Sequence, residues 1–292
     1  MSPRVTIGIP VYNEAPFLEQ TIRSALAQTE PCAILISDNG STDGSERVAL
    51  GFAGHPNVTI DFQNRNIGAF ANFFFLLREC RTPFFCLLGG HDVLHPEFIA
   101  TALEHFEMDQ GVRPPLSLVY PRTELIDRQG HPITTERPYV GCTPKTDDVD
   151  TCALDDVEGP LKVARNEHNA HAFNGLFRTE VLRASTFYRV AGGDHLMVYQ
   201  AALQGRVHRL DELATRFRVV REETFEEALE RWERTFGLAF DRTQPHRKMC
   251  DAYTMITRDA RMDEARRFRI LRGLFPILRE RFGYEESEGE FR

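Results

Sequence analysis

Val5-Thr-Ile-Gly-Ile-Pro-Val-Tyr-Asn-Glu14 is a short apolar, β-rich run that ends in polar residues, and Ile34-Leu-Ile-Ser-Asp-Asn-Gly-Ser-Thr-Asp-Gly44 repeats the pattern. Each reads as a strand with polar groups at its carboxyl end. Between them Phe17, Leu18, Ile22, Ala25 and Leu26 recur at helical spacing, so residues 16–28 are expected to form a helix. Outward from this unit the alternation continues: strand 33–37, helix 44–52, strand 58–62, helix 68–80, strand 84–88 and helix 96–108. Strands that alternate with helices need right-handed crossovers, which build a mostly parallel α/β sheet covered on both faces.

Ligands of open parallel sheets bind beyond the carboxyl ends of the strands. Each of the first four strands ends in a polar cluster: Asn13-Glu14, Asp38 to Asp43, Asn64 to Asn66, and Gly89-Gly90-His91-Asp92. Four such ends converging on one crevice point to a binding site. From 111 to 170 the pattern is irregular, with Pro114-Pro115, a Gln129-Gly130 turn and an acidic stretch from 147 to 158, read as a hairpin and a variable loop. Periodicity returns at 172–177, then a helix at 194–203 and strands near 207–209 and 215–219. Past Arg221 only helices are expected, at 224–240, 245–258 and 263–282, the last interrupted by Gly273 and Pro276, with a fraying polar tail at 284–292.

The chain has 292 residues, enough for a large core, and its 43 acidic against 35 basic side chains give a formal charge of −8. That balance disfavours the basic footprint of a nucleic-acid binder. The six cysteines are scattered without C-x-x-C or zinc-type spacing, which predicts neither a structural metal nor a disulfide framework and fits a reducing cytoplasm. No apolar run has the length of a membrane span and no signal-peptide stretch precedes the first strand, so a soluble or peripherally attached protein is expected. In the last helix, arginines from Arg266 to Arg281 interleave with Phe268, Ile270, Leu271, Leu274, Phe275, Ile277 and Leu278. Such a basic amphipathic segment suits an anionic membrane surface, a second subunit, or packing on its own domain.

No G-x-G-x-x-G follows the first strand and no G-x-x-x-x-G-K-[ST] occurs, so the usual dinucleotide and P-loop phosphate cradles are missing. The succession of Val5 to Glu14, Ile34 to Gly44 and Asn64-Arg-Asn-Ile-Gly68 instead resembles the family 2 glycosyltransferases. Those have the GT-A fold, a mostly parallel Rossmann-like sheet flanked by helices. The resemblance extends to about residue 220 and implies a glycosyltransferase domain at 1–221, with a nucleotide-binding half at 1–110 and an acceptor half at 111–221, followed by a helical extension at 222–292.

The resemblance implies that the first-strand motif, Pro10, Tyr12, Asn13 and Glu14, holds the nucleoside together with Asp38, and that Asn66 and Gly68 belong to the same nucleotide site. Asp38 can accept a hydrogen bond from the imide N–H of uracil. Pro10 and Tyr12 would wall the base pocket, and Glu14 would meet the ribose hydroxyls. Asp43 stands where the family has an aspartate near the nucleotide, while Ser41-Thr42-Asp43 equally suits a helix cap. At the fourth strand the family's acidic D-x-D-type cluster is replaced by Gly89-Gly90-His91-Asp92, which leaves Asp92 to hold Mn2+ or Mg2+ against the diphosphate, with His91 either a second donor or a hydrogen-bonded residue beside the site that touches no metal. Either of Arg216 and Arg218 could approach the diphosphate, and His168 and His171 are read as loop histidines at the acceptor entrance.

Gly192-Gly193-Asp194-His195 matches the position of the family's acidic general base, so Asp194 is the candidate catalytic residue, with a helix cap as its alternative role. A single base implies inversion at the anomeric carbon, without a covalent carboxylate nucleophile. The function implied is transfer of a sugar from a nucleotide-sugar, UDP-sugar first, to a hydroxyl of a glycan or lipid-linked glycan, as in bacterial surface polysaccharide synthesis at the inner face of the membrane. A non-catalytic sugar-nucleotide-binding protein and a nucleotidyltransferase are the alternatives; the latter would need a glycine-rich basic loop that Tyr12-Asn13-Glu14 does not offer.

Overall fold

The computed structural model describes residues 2–135, 147–236 and 239–284. Its first half alternates β1 (Val5–Val11), α1 (Ala15–Leu26), β2 (Cys32–Asp38), α2 (Ser45–Leu50), β3 (Val58–Phe62), α3 (Ala69–Glu79), β4 (Phe84–Leu87) and α4 (Phe98–Met108). There follow β5 (Leu116–Ile126), α5 (Glu158–Asn166), β6 (Leu176–Arg178), α6 (Thr179–Ala184), α7 (Gly193–Gln204) and β7 (Arg206–Arg218), then α8 (Phe225–Phe236), α9 (Arg247–Asp259) and α10 (Glu264–Phe282). The seven strands form one sheet in the order β3-β2-β1-β4-β6-β5-β7. It is mostly parallel; β6 runs antiparallel to both β4 and β5.

Alternation along β1 sends Val5, Ile7, Ile9 and Val11 to one face, where they join Leu18 and Ile22 of α1 and Phe98 and Ile99 of α4 in a buried core. Fully burying one such side chain contributes roughly 1.5–3 kcal/mol, so this strand alone anchors the sheet firmly. Proline near its first turn starts α1, and Phe17, Leu18, Ile22 and Ala25 form its inward stripe. The other face of the sheet carries a second core in which Phe73 and Leu76 of α3 meet residues of α5, α7, α9 and α10.

Several elements depart from expectation. The strands foreseen near 207–209 and 215–219 are one strand, β7, whose register on β5 slips from Pro121↔Leu210 to Arg122↔Ala214. The extra residues bulge out and break the period-two signal. Helix α5 arises where a loop was read and α6 where no element was assigned, and α10 runs unbroken through Gly273 and Pro276. A Cβ on Gly273 would lie 2.4 Å from Leu161, so the glycine admits α5 against α10. The hairpin is reduced to the Asp127–His131 turn and an isolated Ile126↔Pro132 bridge. The rest of the variable loop, 136–146, and the tail at 285–292 lie outside the described residues.

The apolar stripe of α10 faces inward. Ile270, Leu271, Leu274, Phe275, Ile277 and Leu278 are all buried in the core shared with α5, α7 and α9, and of the stripe only Phe268 is exposed. The face that suited a membrane or a second subunit is thus occupied by this chain's own helices. No helix among the described residues is long and apolar enough to cross a membrane.

Candidate active site

The parallel register, Val11 opposite Asp38 and Asp38 opposite Phe62, brings the carboxyl ends of β1, β2 and β3 side by side. Asp38, 2% exposed, accepts a hydrogen bond at Oδ1 from the Ser41 amide (2.7 Å), while its buried Oδ2 has no partner among the described residues. A buried carboxylate oxygen without a donor is costly, and a ligand N–H would relieve it.

The loops after β1 and β2 are braced to each other. Asn13 adopts a left-handed backbone (φ 59°), held because its N–H donates to Ser41 Oγ (2.9 Å) and its Oδ1 accepts from the Thr42 amide (2.8 Å). Asp43 accepts from the Ala15 amide at Oδ2 and from the Ser45 amide and hydroxyl at Oδ1, and Ser45 Oγ in turn accepts from the Glu14 amide. Partial burial opposes ionisation of Asp43, yet these hydrogen bonds hold its carboxyl below the ordinary value. Asp43 thus accepts from the first-residue amides of both α1 and α2, and Asn13 clamps the two loops through its amide N–H and Oδ1.

Asn66 and Gly68 shape the third strand end in the same way. Asn66 Oδ1 accepts from Gly68 N (2.8 Å) and Asn39 Nδ2 (3.1 Å), and Asn39 Oδ1 accepts from the Ile67 amide. Gly40 has φ +72°, and a Cβ there would lie 2.7 Å from the Arg65 carbonyl carbon, so only glycine lets the two loops touch. Tyr12 is 41% exposed at the rim.

At the β4 end, Gly90 packs closely on Pro10 and Glu14: a Cβ would sit 3.0 Å from Glu14 Cγ, so Glu14 would have to shift to admit a side chain. Glu14, expected at the ribose, is 9% exposed and turned to His91, whose Nδ1 lies 3.0 Å from Glu14 Oε1 in an ion-pair contact off the line of a good hydrogen bond. Burial disfavours charge on His91, but Asp92 and Glu14 outweigh it and raise its pKa. Asp92 is 1% exposed; its Oδ1 accepts from the Arg218 amide (2.8 Å), and burial pushes its carboxyl up to about 6 against the pull of His91 and Arg218. Through Oδ1, Asp92 thus ties the β4 turn to β7. Arg218 is equally engaged: its guanidinium donates to the carbonyls of His91, Asp127 and Arg128 and to Gln20 Oε1. These contacts spend its guanidinium on bracing the β4 end. Arg216 bridges Val93 through its backbone and pairs with Glu124 at 3.8 Å.

These positions decide how a cation could be held. Asp92 Oδ1 is taken by a backbone N–H, His91 Nε2 is 3.9 Å from it, and Glu14 sits on the opposite ring nitrogen. The three side chains do not converge on one point, so protein groups alone make a thin donor set here.

Asp194 lies in the first turn of α7, where the helix dipole favours a carboxylate, and the left-handed Gly192 forms the cap. Behind it lie two buried groups: Glu167, which the sequence did not flag, fully buried with both carboxylate oxygens unpartnered, and His171, 3% exposed with neither ring nitrogen partnered among the described residues. Burial, then Asp147 and Asp194, push the Glu167 carboxyl well up, whereas burial pulls His171 down to about 4. His171 was read as an entrance residue; it stands inside, its ring 5.2 Å from that of Phe217, which also faces His91 at 6.3 Å. This chain of rings ties the Asp194 region to the β4 end. Beyond His195 opens a cavity of about 320 Å³ whose walls include Gly192, Trp232, His246 and Arg281.

A family model described as glycosyl transferase family 2 matches residues 6–184. The chain is 34% identical over 135 residues to chondroitin synthase of Escherichia coli, covering 45% of this chain and 19% of that protein. It is 30% identical over 140 residues to an uncharacterized glycosyltransferase of Rickettsia typhi, covering 47% and 42%. The matched part thus spans under half the length of these relatives. Among solved structures, TarS 1–349 of S. aureus in complex with UDP-GlcNAc superposes with a TM-score of 0.66 at 13% identity, covering 95% of this chain and 73% of that one. The mannosyltransferase PcManGT of Pyrobaculum calidifontis in complex with GDP-Man and Mn2+ gives 0.57 at 15%, covering 98% and 77%.

Proposed function

The chain belongs to glycosyl transferase family 2 and has the GT-A fold, and from that premise we propose that it transfers a sugar from a UDP-sugar to a hydroxyl of a glycan or lipid-linked glycan acceptor, with inversion. The observation that carries the donor half is the unpartnered Oδ2 of Asp38 at the end of β2. A uracil imide N–H would satisfy it, whereas N3 of cytosine is an acceptor and would repel it. Structural neighbours in complex with UDP-GlcNAc and with UDP support a sugar-nucleotide donor of this kind. Pro10 and Tyr12 would flank the base, with Asn13, Asp43, Asn66 and Gly68 holding the loops in shape around it.

In the transfer step Asp194 accepts the proton of the acceptor hydroxyl while that oxygen bonds to the anomeric carbon. The bond from that carbon to the diphosphate breaks on the opposite face, and its electron pair leaves with UDP. A divalent cation, Mn2+ or Mg2+, is compatible with this scheme. It would rest mainly on diphosphate oxygens and water with His91 as its protein donor, and would offset charge on the departing UDP. Assembly of a surface polysaccharide at the inner face of a membrane is the setting in which such an acceptor occurs.

The test is release of UDP from a panel of UDP-, dTDP- and GDP-sugars, with sugar acceptors, in Mn2+ and in EDTA. Turnover with a UDP-sugar is expected. Tight UDP binding without turnover for any donor and acceptor would favour a binding protein, a reading to which the loss of carboxylates at Gly89 and His91 lends weight.

A further inference from the structure

A convergent donor set does exist in this chain, at the other edge of the sheet. His208 pairs in register with Val119, six residues before the Leu125↔Phe217 pair at the catalytic end, which at about 3.3 Å per residue is roughly 20 Å away. Its Nδ1 lies 2.9 Å from Asp150 Oδ2. Cys152 completes the group: one carboxylate oxygen, one thiol sulfur and one imidazole nitrogen all lie within 4.8 Å of one another, the single such cluster of three among the described residues.

The local backbone explains the convergence. Thr151 is pinned to β7, its amide donating to the Val207 carbonyl (2.8 Å) and its hydroxyl accepting from the Val207 amide (2.8 Å). Asp150 and Cys152 flank Thr151 at the start of a turn closed by the Leu154 amide on the Thr151 carbonyl, and this places both beside His208, the residue after Val207. The carboxylate is already oriented by backbone donors, Arg209 N on Oδ2 (2.8 Å) and Cys152 N on Oδ1 (2.9 Å), and the His208 ring is backed by the His105 ring at 4.5 Å. Outer contacts of this kind are what fix ligands around a bound metal.

We propose that Asp150, Cys152 and His208 form a Zn2+ site, with water as the fourth ligand. Around tetrahedral zinc, with bonds of about 2.0–2.3 Å, the Asp150–His208 pair at 2.9 Å would open slightly and any contact near the 4.8 Å bound would close, both within reach of small side-chain rotations. A sulfur, nitrogen and oxygen set suits zinc, whereas Mg2+ and Mn2+ prefer oxygen. Side chains of Asp150 and His208 are 27% and 24% exposed, which leaves an open side for the ion and its water. Binding replaces the thiol proton of Cys152, which goes to solvent. The site would clamp the segment before α5 to the β7 edge, away from the sugar-nucleotide crevice, and is independent of the proposed transfer.

The experiment measures zinc content of the full chain after dialysis, and affinity by competition with a chromophoric chelator. One zinc per chain is expected, with affinity falling more than about tenfold in both Cys152→Ser and His208→Gln, while UDP affinity is unchanged in each. Circular dichroism checks that each variant is folded; should Cys152→Ser fail to fold, His208→Gln, at a partly exposed position, carries the test. Wild-type affinity for zinc no greater than that of His208→Gln would overturn the proposal and leave the cluster as an Asp150–His208 ion pair.

Discussion

Replacing Asp38 by asparagine isolates the atom on which the donor assignment rests. The Oδ1 of the new side chain would keep the 2.7 Å bond from the Ser41 amide, since placing the amide NH2 there would set donor against donor. The NH2 therefore takes the position of the unpartnered Oδ2. Toward uracil this deletes a hydrogen bond to a charged acceptor, about 1.5–3 kcal/mol, or roughly 10- to 100-fold in affinity. Toward cytosine it creates a matched donor for N3, so binding of CDP should hold or improve. The unliganded protein should gain stability, because a buried, unpaired carboxylate oxygen is replaced by a neutral group; about 1 kcal/mol raises the melting temperature by roughly 2 °C in a chain of this size. Isothermal titration with UDP and CDP, with thermal unfolding alongside, reads all three effects. Equal losses for UDP and CDP, or unchanged UDP affinity, would refute the placement of a uracil at Asp38.

Three further outcomes are expected. Asp194→Asn should lower turnover by about 10²–10⁴ while UDP affinity stays within about twofold; steady-state UDP release at near wild-type rate would remove Asp194 from proton transfer. Asp92 has its folded pKa raised to about 6 from 3.8, so the folded state binds more protons in that window and wild-type stability gains as pH falls from 7 to 4; Asp92→Asn should flatten this gain, by about 2 kcal/mol, in urea unfolding at pH 7.5 and 4.5, and parallel pH slopes in the two proteins would contradict it. Gly40→Ala, forced into φ +72° against the Arg65 backbone, should cost upward of about 1 kcal/mol and weaken UDP binding; an unchanged melting temperature would show that the loop relaxes freely.

The first four strands were legible because each is buried by its own local pattern, as in the alternating Val5, Ile7, Ile9 and Val11. Asp38 was legible for a related reason: it is the last residue of such a strand, and its position follows from the strand itself. What the sequence could not reveal depends on partners far along the chain. Asp92 looked like an open carboxylate, yet it is closed by the amide of Arg218, 126 positions away. Glu14 looked free for ribose and is paired with His91. Glu167 carries no signal in the sequence and His171 was placed at an entrance, because the burial of both is decided by how α5, α7 and the β7 end pack around them. The zinc-type cluster escaped for the same cause: its histidine is 56 residues from its cysteine, and cysteine spacing alone is blind to it.

The helix that carries Asp194 is held from behind by the end of the chain. Leu196, Met197 and Tyr199 of α7 share a core with Met249 and Tyr253 of α9 and with Ile270 and Leu274 of α10, and Tyr199 Oη meets Thr257 Oγ1 at 2.7 Å. Arg281 of α10 donates to the Ala164 and Glu167 carbonyls at the end of α5. A protein cut after residue 221 would therefore expose the rear of α7 and unfasten α5, so the three C-terminal helices and the sheet should melt in a single transition. Variation in those helices then becomes a means of tuning reactivity at a distance: a substitution that loosens the backing changes how rigidly the carboxylate is presented, without altering any group that a substrate touches.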